Sequence, residues 1–256
     1  MVLGVYPITA QRQEGKFDLF KELTDAIEQN GEMVQNEDII IISSKYVSNS
    51  QGRLVNLQNV ITKSEKVKEM VQKYKIAPKI AEIILRESDK IFGGIAGFVI
   101  TSSDDIMAPN AGIDKSNTKS TNIILYPNYP YLIAEQILRK IFLKYGVNVG
   151  VIIIDSRLMP ARIGTIGIAI SCAGIEPVHD MRGQKDLDGN PLKVTFQAVA
   201  DNLASIANYK MGEGSESKPF TIIRDSGVKL TKRKIRTDEM SIPYDQCVYV
   251  RGLRNE

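Results

Sequence analysis

Apolar positions along the chain alternate between two periods, and the changes of period mark the elements. Phe17, Phe20, Leu23 and Ile27 recur at helical spacing, which predicts a helix over 17–29. Asp38-Ile-Ile-Ile-Ile42 is a short β-branched run and predicts a buried strand, with Ser43 to Ser50 following as a polar loop or a helix entry. Ser64 is a predicted cap for a helix with Val67, Met70, Val71 and Tyr74 on one face. A second helix fits 78–88, where Pro78 suits the first position because its missing N–H has no partner there anyway. The stretch from Phe92 to Thr101 reads as one glycine-interrupted strand, and Ile123 to Leu125 as another. Over 131–145 the residues Leu132, Ile133, Ile137 and Ile141 share a helical face that stops at Gly146. Val149 to Ile154, Gly164 to Ile170 and Phe220 to Ile223 read as strands, and Thr195 to Lys210 as a helix ending at Gly212. Strands and helices mix without a regular βαβ rhythm, so the pattern predicts an α+β fold rather than a doubly wound sheet.

Composition narrows the class. With 256 residues, 43% of them apolar, the chain can bury a large core as one domain or two interlocked ones. Charged residues make up 25% and are mixed in sign, and a net charge of +3 is too small to imply nucleic-acid binding. No apolar run approaches the ~20 residues of a spanning helix. The start, Met1-Val-Leu-Gly-Val-Tyr-Pro7, lacks a basic region and a long apolar core, so no signal peptide is expected. Two distant cysteines, Cys172 and Cys247, suggest an intracellular, reducing compartment, with cytoplasmic location the simplest expectation. His179 is the only histidine and no Cys-x-x-Cys occurs, which argues against zinc held by nitrogen and sulfur. A Ser-His-Asp triad would require His179 as its base. Any metal should therefore be held by oxygen, which favours magnesium or manganese.

Four segments offer such oxygens or a phosphate cradle. Asp155 ends an apolar run and precedes Ser156; the pair reads as a metal or phosphate ligand at a strand's carboxyl end, or as a turn cap. Asn110-Ala-Gly-Ile-Asp114-Lys-Ser-Asn117 sets polar side chains around one glycine; if Asp114 opens a turn of helix, Ser116 and Asn117 face a sugar or base, the other reading being an N-cap cluster. Met211-Gly-Glu213-Gly214-Ser215-Glu-Ser-Lys218 is a glycine-bearing loop whose amides suit phosphate, with Glu213 for a metal and Lys218 for charge, or else a helix C-cap and linker. Ser44 and Lys45 with Arg53 place cations near a strand end. Arg162 lies seven residues after Asp155, within reach of an anionic substrate. His179-Asp180 reads as a buried hydrogen-bonded pair, Cys172 as core, and the basic run Lys229 to Arg236 as a solvated turn or tail.

Taken in order, these segments resemble the archaeal F-420-0:L-glutamate ligase (F-420-0:γ-glutamyl ligase) family. The resemblance rests on Ser44-Lys-Tyr-Val-Ser with Gln51-Gly-Arg53, Leu85-Arg-Glu-Ser88, Asn110 to Asn117, Gly150 to Asp155, Arg162 to Ile170, Arg182-Gly with Asp186-Leu-Asp-Gly189, and Val199-Ala-Asp with Met211-Gly-Glu-Gly214. It implies an α+β, mixed-sheet fold with two interlocked domains and an intertwined homodimer. A nucleotide- and metal-binding core would be formed by 1–60 with 147–228, an inserted domain by 61–146 and an extension by 229–256. It implies a ligase that uses GTP to activate a carboxylate of F-420-0 as an acyl phosphate, which L-glutamate then attacks. By matching motifs, Asp114 and Asp155 would hold one Mg²⁺ or Mn²⁺, and Ser156 and Glu213 a second, sometimes with K⁺. Asp155 and Arg162 would be catalytic. Ser44, Lys45, Asn117, Met211, Gly212, Gly214, Ser215 and Lys218 would contact the nucleotide.

The chain departs from the family pattern at several positions. Asp-Thr-x-Gly-Arg has become Asp155-Ser-Arg-Leu-Met159, Asn49 replaces a lysine, Thr9-Ala-Gln-Arg12 replaces a Leu-Pro-Leu-type segment, and Gly183-Gln-Lys-Asp186 is less arginine-rich. These departures imply a divergent homologue acting on F-420-0 or a related acid, the competing reading being a non-catalytic paralogue that binds nucleotide or cofactor.

Overall fold

The computed structural model describes residues 2–13, 15–103, 105–118 and 121–252. Its centre is a five-stranded mixed sheet of β1 (Gly4–Ile8), β12 (Phe220–Arg224), β2 (Ile39–Ser43), β8 (Gly150–Leu158) and β9 (Thr165–Ala173), in that order. Only β2 and β8 run parallel; the other neighbours are antiparallel. That is a mixed α+β architecture, as the pattern of elements predicted.

Both faces of this sheet are covered, which explains the unbroken isoleucine runs. Side chains alternate across a strand. In β2, Ile40 and Ile42 enter one apolar cluster while Ile39 and Ile41 enter another. In β8, Val151 and Ile153 join the first cluster, and Ile152 and Ile154 the second. Helices α1 (Leu19–Gln29) and α5 (Pro130–Tyr145) supply the first cluster, and α6 (Val199–Met211) the second. A strand buried on both sides has no polar face, so its pattern is continuous rather than alternating. Gly167 permits α6 to lie close on β9, since a Cβ there would stand 2.4 Å from the carbonyl oxygen of Ala204.

A third cluster lies apart from the main sheet. It is built by α3 (Glu65–Tyr74) and α4 (Pro78–Glu87) against β5 (Phe98–Ser103) and β7 (Asn122–Ile124), with Val67, Met70, Ile80, Ile84, Val99 and Ile123 buried. β5 is flanked by β4 (Lys90–Ile95) and β6 (Ile106–Pro109) in a three-stranded sheet, and β7 pairs with β3 (Leu54–Asn56). Ser64 caps α3 through its hydroxyl, and Pro78 occupies the first turn of α4.

Several expectations need correction. The glycine-interrupted strand over 92–101 is two antiparallel strands, β4 and β5, reversing at Gly97 with φ +85°. A continuous apolar pattern does not reveal a two-residue reversal. The helix expected from Thr195 starts at Val199, because Phe196–Ala198 (β11) pairs with Val178–Asp180 (β10). In α5, Leu132 is 48% exposed, and Ala134 joins Ile137 and Ile141 in the core instead. His179 and Asp180 are exposed rather than a buried pair. Asp180 bonds Arg182, whose guanidinium holds its carboxyl down to about 2. The basic run over 229–236 is not simply solvated: Ile235 is buried in the second cluster, and Arg233 bonds Glu176 and Glu239. Charges there face outward while Leu230 and Ile235 anchor the segment on the second cluster. Cys172 is core as expected, and burial pushes its thiol up to about 12. Both cysteines are free, and no helix among the described residues is long and apolar enough to cross a membrane.

Candidate functional site

The parallel pair β2–β8 sets the position of the site. Ser43, the last residue of β2, is level with Ile154, so Ser44 and Asp155 lie side by side where β2 ends; β8 itself runs on to Leu158, so Asp155 sits within the strand rather than at its carboxyl end as expected. At the end of β2, α2 (Ser44–Ser50) begins, and the Ser44 hydroxyl donates to Asp155 Oδ1 at 2.9 Å. A register shift between Ile153 and Ile154, where β9 carries one extra residue, immediately precedes Asp155. Such irregularities re-aim the following side chains.

A cavity of about 540 Å³ opens here. It is lined by Lys45, Asp114, Asn117, Asp155 and Ser156, and across from them by Met211, Gly212, Glu213, Gly214, Ser215 and Lys218. The fold thus brings together four segments that are far apart in the sequence. Asp114 arrives not on a helix, as one reading expected, but in an extended bridge with Ile124. Its backbone N–H and C=O are both used there, which leaves the carboxylate free to turn toward the cavity. The Lys45 ammonium lies 2.5 Å from Asp114 Oδ2 and donates to Ser116 Oγ at 2.6 Å. Burial acts to raise the Asp114 pKa, but Lys45 and the Ser116 groups outweigh it and hold the carboxyl below its usual range. A depressed folded value means that the pair contributes above the ordinary carboxylate pKa and is lost as pH falls through the lower, folded one. It is intact at neutral pH.

The loop after α6 is held over the cavity. Gly212 has φ +80°, a backbone conformation that favours glycine, and the Glu216 carboxyl group lies close against it. Glu216 accepts from the Gly214 N–H at 2.8 Å. Asn117 Nδ2 donates to the Gly214 carbonyl at 3.2 Å, and Ser217 Oγ to the Ala10 carbonyl at 2.7 Å. Glu213 is oriented by Thr165 Oγ1 at 3.0 Å and Asn208 Nδ2 at 2.9 Å, both on Oε1.

Sequence reasoning missed Arg157. It is 6% exposed, pairs with Asp155 Oδ2, donates to the carbonyls of Met107 and Ser156, and lies 5.5 Å over the Tyr126 ring. The signal was available: residues two apart on a strand share a face. Arg12 was also unassigned; it lines the cavity and donates to the Asn117 carbonyl at 3.1 Å. Arg162 is not among the lining residues and sits on the exposed turn between β8 and β9. Arg53 is engaged elsewhere, by Glu87 and the Tyr126 carbonyl. Leu158 and Met159 are exposed at the end of β8, outside the lining.

The donors Asp114, Asp155, Ser156 and Glu213 are all oxygen, which suits a hard divalent cation. Among the described residues no three Asp, Glu, His or Cys side chains are grouped tightly enough to hold one ion. Asp114 and Asp155 are each neutralised by a cationic side chain, Lys45 and Arg157. An ionised carboxylate has about four lone-pair sites, so these contacts leave room for a further cation.

The F420-0:Gamma-glutamyl ligase family model matches residues 8–225, which takes in every segment of this cavity. The chain belongs to that family. A protein of Methanocaldococcus jannaschii named coenzyme F420:L-glutamate ligase is 37% identical over 204 residues, 79% of this chain and 81% of its own. One of the same name from Methanopyrus kandleri is 33% identical over 87% of this chain and 86% of its own. The Archaeoglobus fulgidus protein of that name is 32% identical over 89% and 90%. The F420-0:gamma-glutamyl ligase match ends one residue after β12.

Proposed function

We propose that this chain is a nucleotide-dependent ligase that joins L-glutamate to a carboxylate of F420-0 or a related acid, with GTP as co-substrate. The observation that carries the reading is the cavity itself, where acidic oxygens and the cations Arg12, Lys45 and Lys218 face one another across a glycine loop. Triphosphate chemistry needs that mixture, because the phosphates require positive charge and their counter-ions require carboxylates.

A carboxylate is a poor electrophile. Transfer of the γ-phosphoryl group of GTP to it gives an acyl phosphate, and the glutamate amine then attacks the acyl carbon and displaces phosphate. Lys45 and Lys218 meet phosphate charge, the 211–218 loop offers backbone N–H groups, and Asn117 with Arg12 orders the opposite wall. Asp155, fixed by Ser44 and Arg157, is the central acidic group. Asp114 with Asp155, and Ser156 with Glu213, would hold Mg²⁺ or Mn²⁺, and K⁺ is compatible with the same oxygen donors. The divalent ions supply neutralisation of charge developing on the phosphates. Positioning of the three substrates provides much of the remaining acceleration. Arg162 has no role inside a single chain on this reading. Leu158 and Met159 lie away from the cavity, so their departure from the family pattern favours no loss of chemistry there.

The assay is phosphate release from GTP with Mn²⁺, F420-0 and L-glutamate, with products read by mass spectrometry. Product one glutamate heavier, with release that requires both acceptor and glutamate, is the expected result. Release indifferent to the acceptor, or none, would count against the proposal.

The homodimer belongs to the same reading. Ile163, Leu187 and Val194 are 106%, 107% and 83% exposed on the β8–β9 turn and the 181–195 segment, an arrangement that suits burial against a second copy. Sedimentation at micromolar protein is expected to give a dimer; a monomer would remove this part.

A further inference from the structure

A second cavity, of about 470 Å³, shares Asp114 and Ser116 with the first. Its walls come from the α3–α4 junction, the β4–β5 turn and the segment ending at Ser116. Those walls are tied together. The Gly97 N–H donates to the Tyr74 carbonyl at 2.7 Å, and Asn110 accepts from the Val99 N–H at 2.9 Å while donating to the Gly97 carbonyl at 3.3 Å. The cavity is therefore formed before any ligand arrives, and binding need not order a loop.

Its chemistry differs from that of its neighbour. Ile76, Ile80, Ile113 and Phe98 make an apolar surface. Phe98 is 50% exposed, so a large aromatic face is left for a planar group. Lys75 and Lys115 stand at the lining with no acid among the other lining residues except Asp114, which Lys45 already neutralises. No glycine loop of the phosphate-cradling kind contributes. The combination suits a ring-bearing anion rather than a triphosphate.

A three-substrate ligase must bring the acceptor's carboxylate to the phosphate end of the nucleotide while the rest of the acceptor lies elsewhere. The shared wall at Asp114 and Ser116 meets that demand. Resting on the ligase reading above, we propose that the second cavity binds the body of the acceptor, an anionic aromatic acid. Its ring packs on Phe98, its negative charge is met by Lys75 and Lys115, and its reacting carboxylate points across the shared wall toward Lys45.

The test uses Phe98→Ala and the double variant Lys75→Gln/Lys115→Gln, all at exposed positions, with melting temperatures to confirm folding. Each is expected to raise the KM for F420-0 about tenfold, the scale of one lost charge-assisted or stacking contact, while the KM values for GTP and glutamate stay within about twofold. Equilibrium dialysis of F420-0 without nucleotide is expected to show the same loss of affinity. Unchanged acceptor KM in both variants overturns the proposal, as does a GTP KM that rises in step. Dialysis also separates this proposal from the ligase reading: wild-type binding lost in the variants, with no turnover in any protein, retains the cavity assignment and ends the ligase. Wild-type protein that does not bind F420-0 ends the cavity assignment.

Discussion

Asp155→Asn is expected to lower turnover by about 10³-fold or more, since it removes the charge at the centre of the cavity while keeping the side chain's shape. The structure adds a consequence for stability. Arg157 is buried and pairs with Asp155, so a neutral residue at 155 leaves a buried cation without its counter-charge. Breaking one side of such a pair costs about 3–5 kcal/mol, which is a large share of a typical total of about 5–15. The variant is therefore expected to melt earlier as well as to be inactive. A double variant, Asp155→Asn/Arg157→Met, separates the two effects. Removing both charges should recover much of the stability, because a well-packed apolar replacement needs no partner. Activity should not return with it. Recovery of turnover in the double variant would mean that Asp155 serves the fold and not the chemistry.

The second large effect lies away from the cavity. Asp38 is fully buried at the start of β2 and accepts from Arg224 Nε and Nη2, each at 2.9 Å, and from the Gln35 N–H at 2.8 Å. Arg224 also donates to the Met33 carbonyl and lies 5.0 Å over the Tyr6 ring. It closes the sheet edge at which β12, β1 and the start of β2 meet. Arg224→Met keeps most of the packing but leaves a buried carboxylate with a single donor. A loss of about 3–5 kcal/mol is expected, measured by urea unfolding. A loss below about 1 kcal/mol would show that water or a neighbouring group replaces the guanidinium, as it does for exposed pairs.

How well each element could be read from the sequence depended on whether its signal was local. α1, α3, α4 and α5 were legible because an amphipathic helix repeats every few residues and carries its own caps, such as Ser64 and Gly146. β2, β8 and β12 were legible because burial on both faces gives each a dense apolar run, residues 39–42, residues 151–154, and Ile222 and Ile223 with Phe220. β1 was not, since Gly4–Ile8 is an edge strand only partly covered and pairs with residues more than two hundred positions away. The same holds for β10 and β11, whose exposed residues pair only with each other.

For the candidate site, the sequence alone determined the residue types: acidic oxygens after an apolar run and in a glycine loop, a serine-lysine pair at a strand end, and too few histidines and cysteines for a softer metal. Those follow from composition and from chemistry confined to a few neighbouring residues. The tertiary structure decided which of them meet. It joined Lys45, Asp114, Ser116, Asn117, Asp155, Ser156 and the 211–218 loop around one cavity, left Arg162 and Arg53 out of it, put Ser44 behind the lining as a buried donor to Asp155, and paired Arg157 with Asp155. Such meetings depend on strand order and register, and those are set by the sum of contacts distant along the chain, which no short window contains.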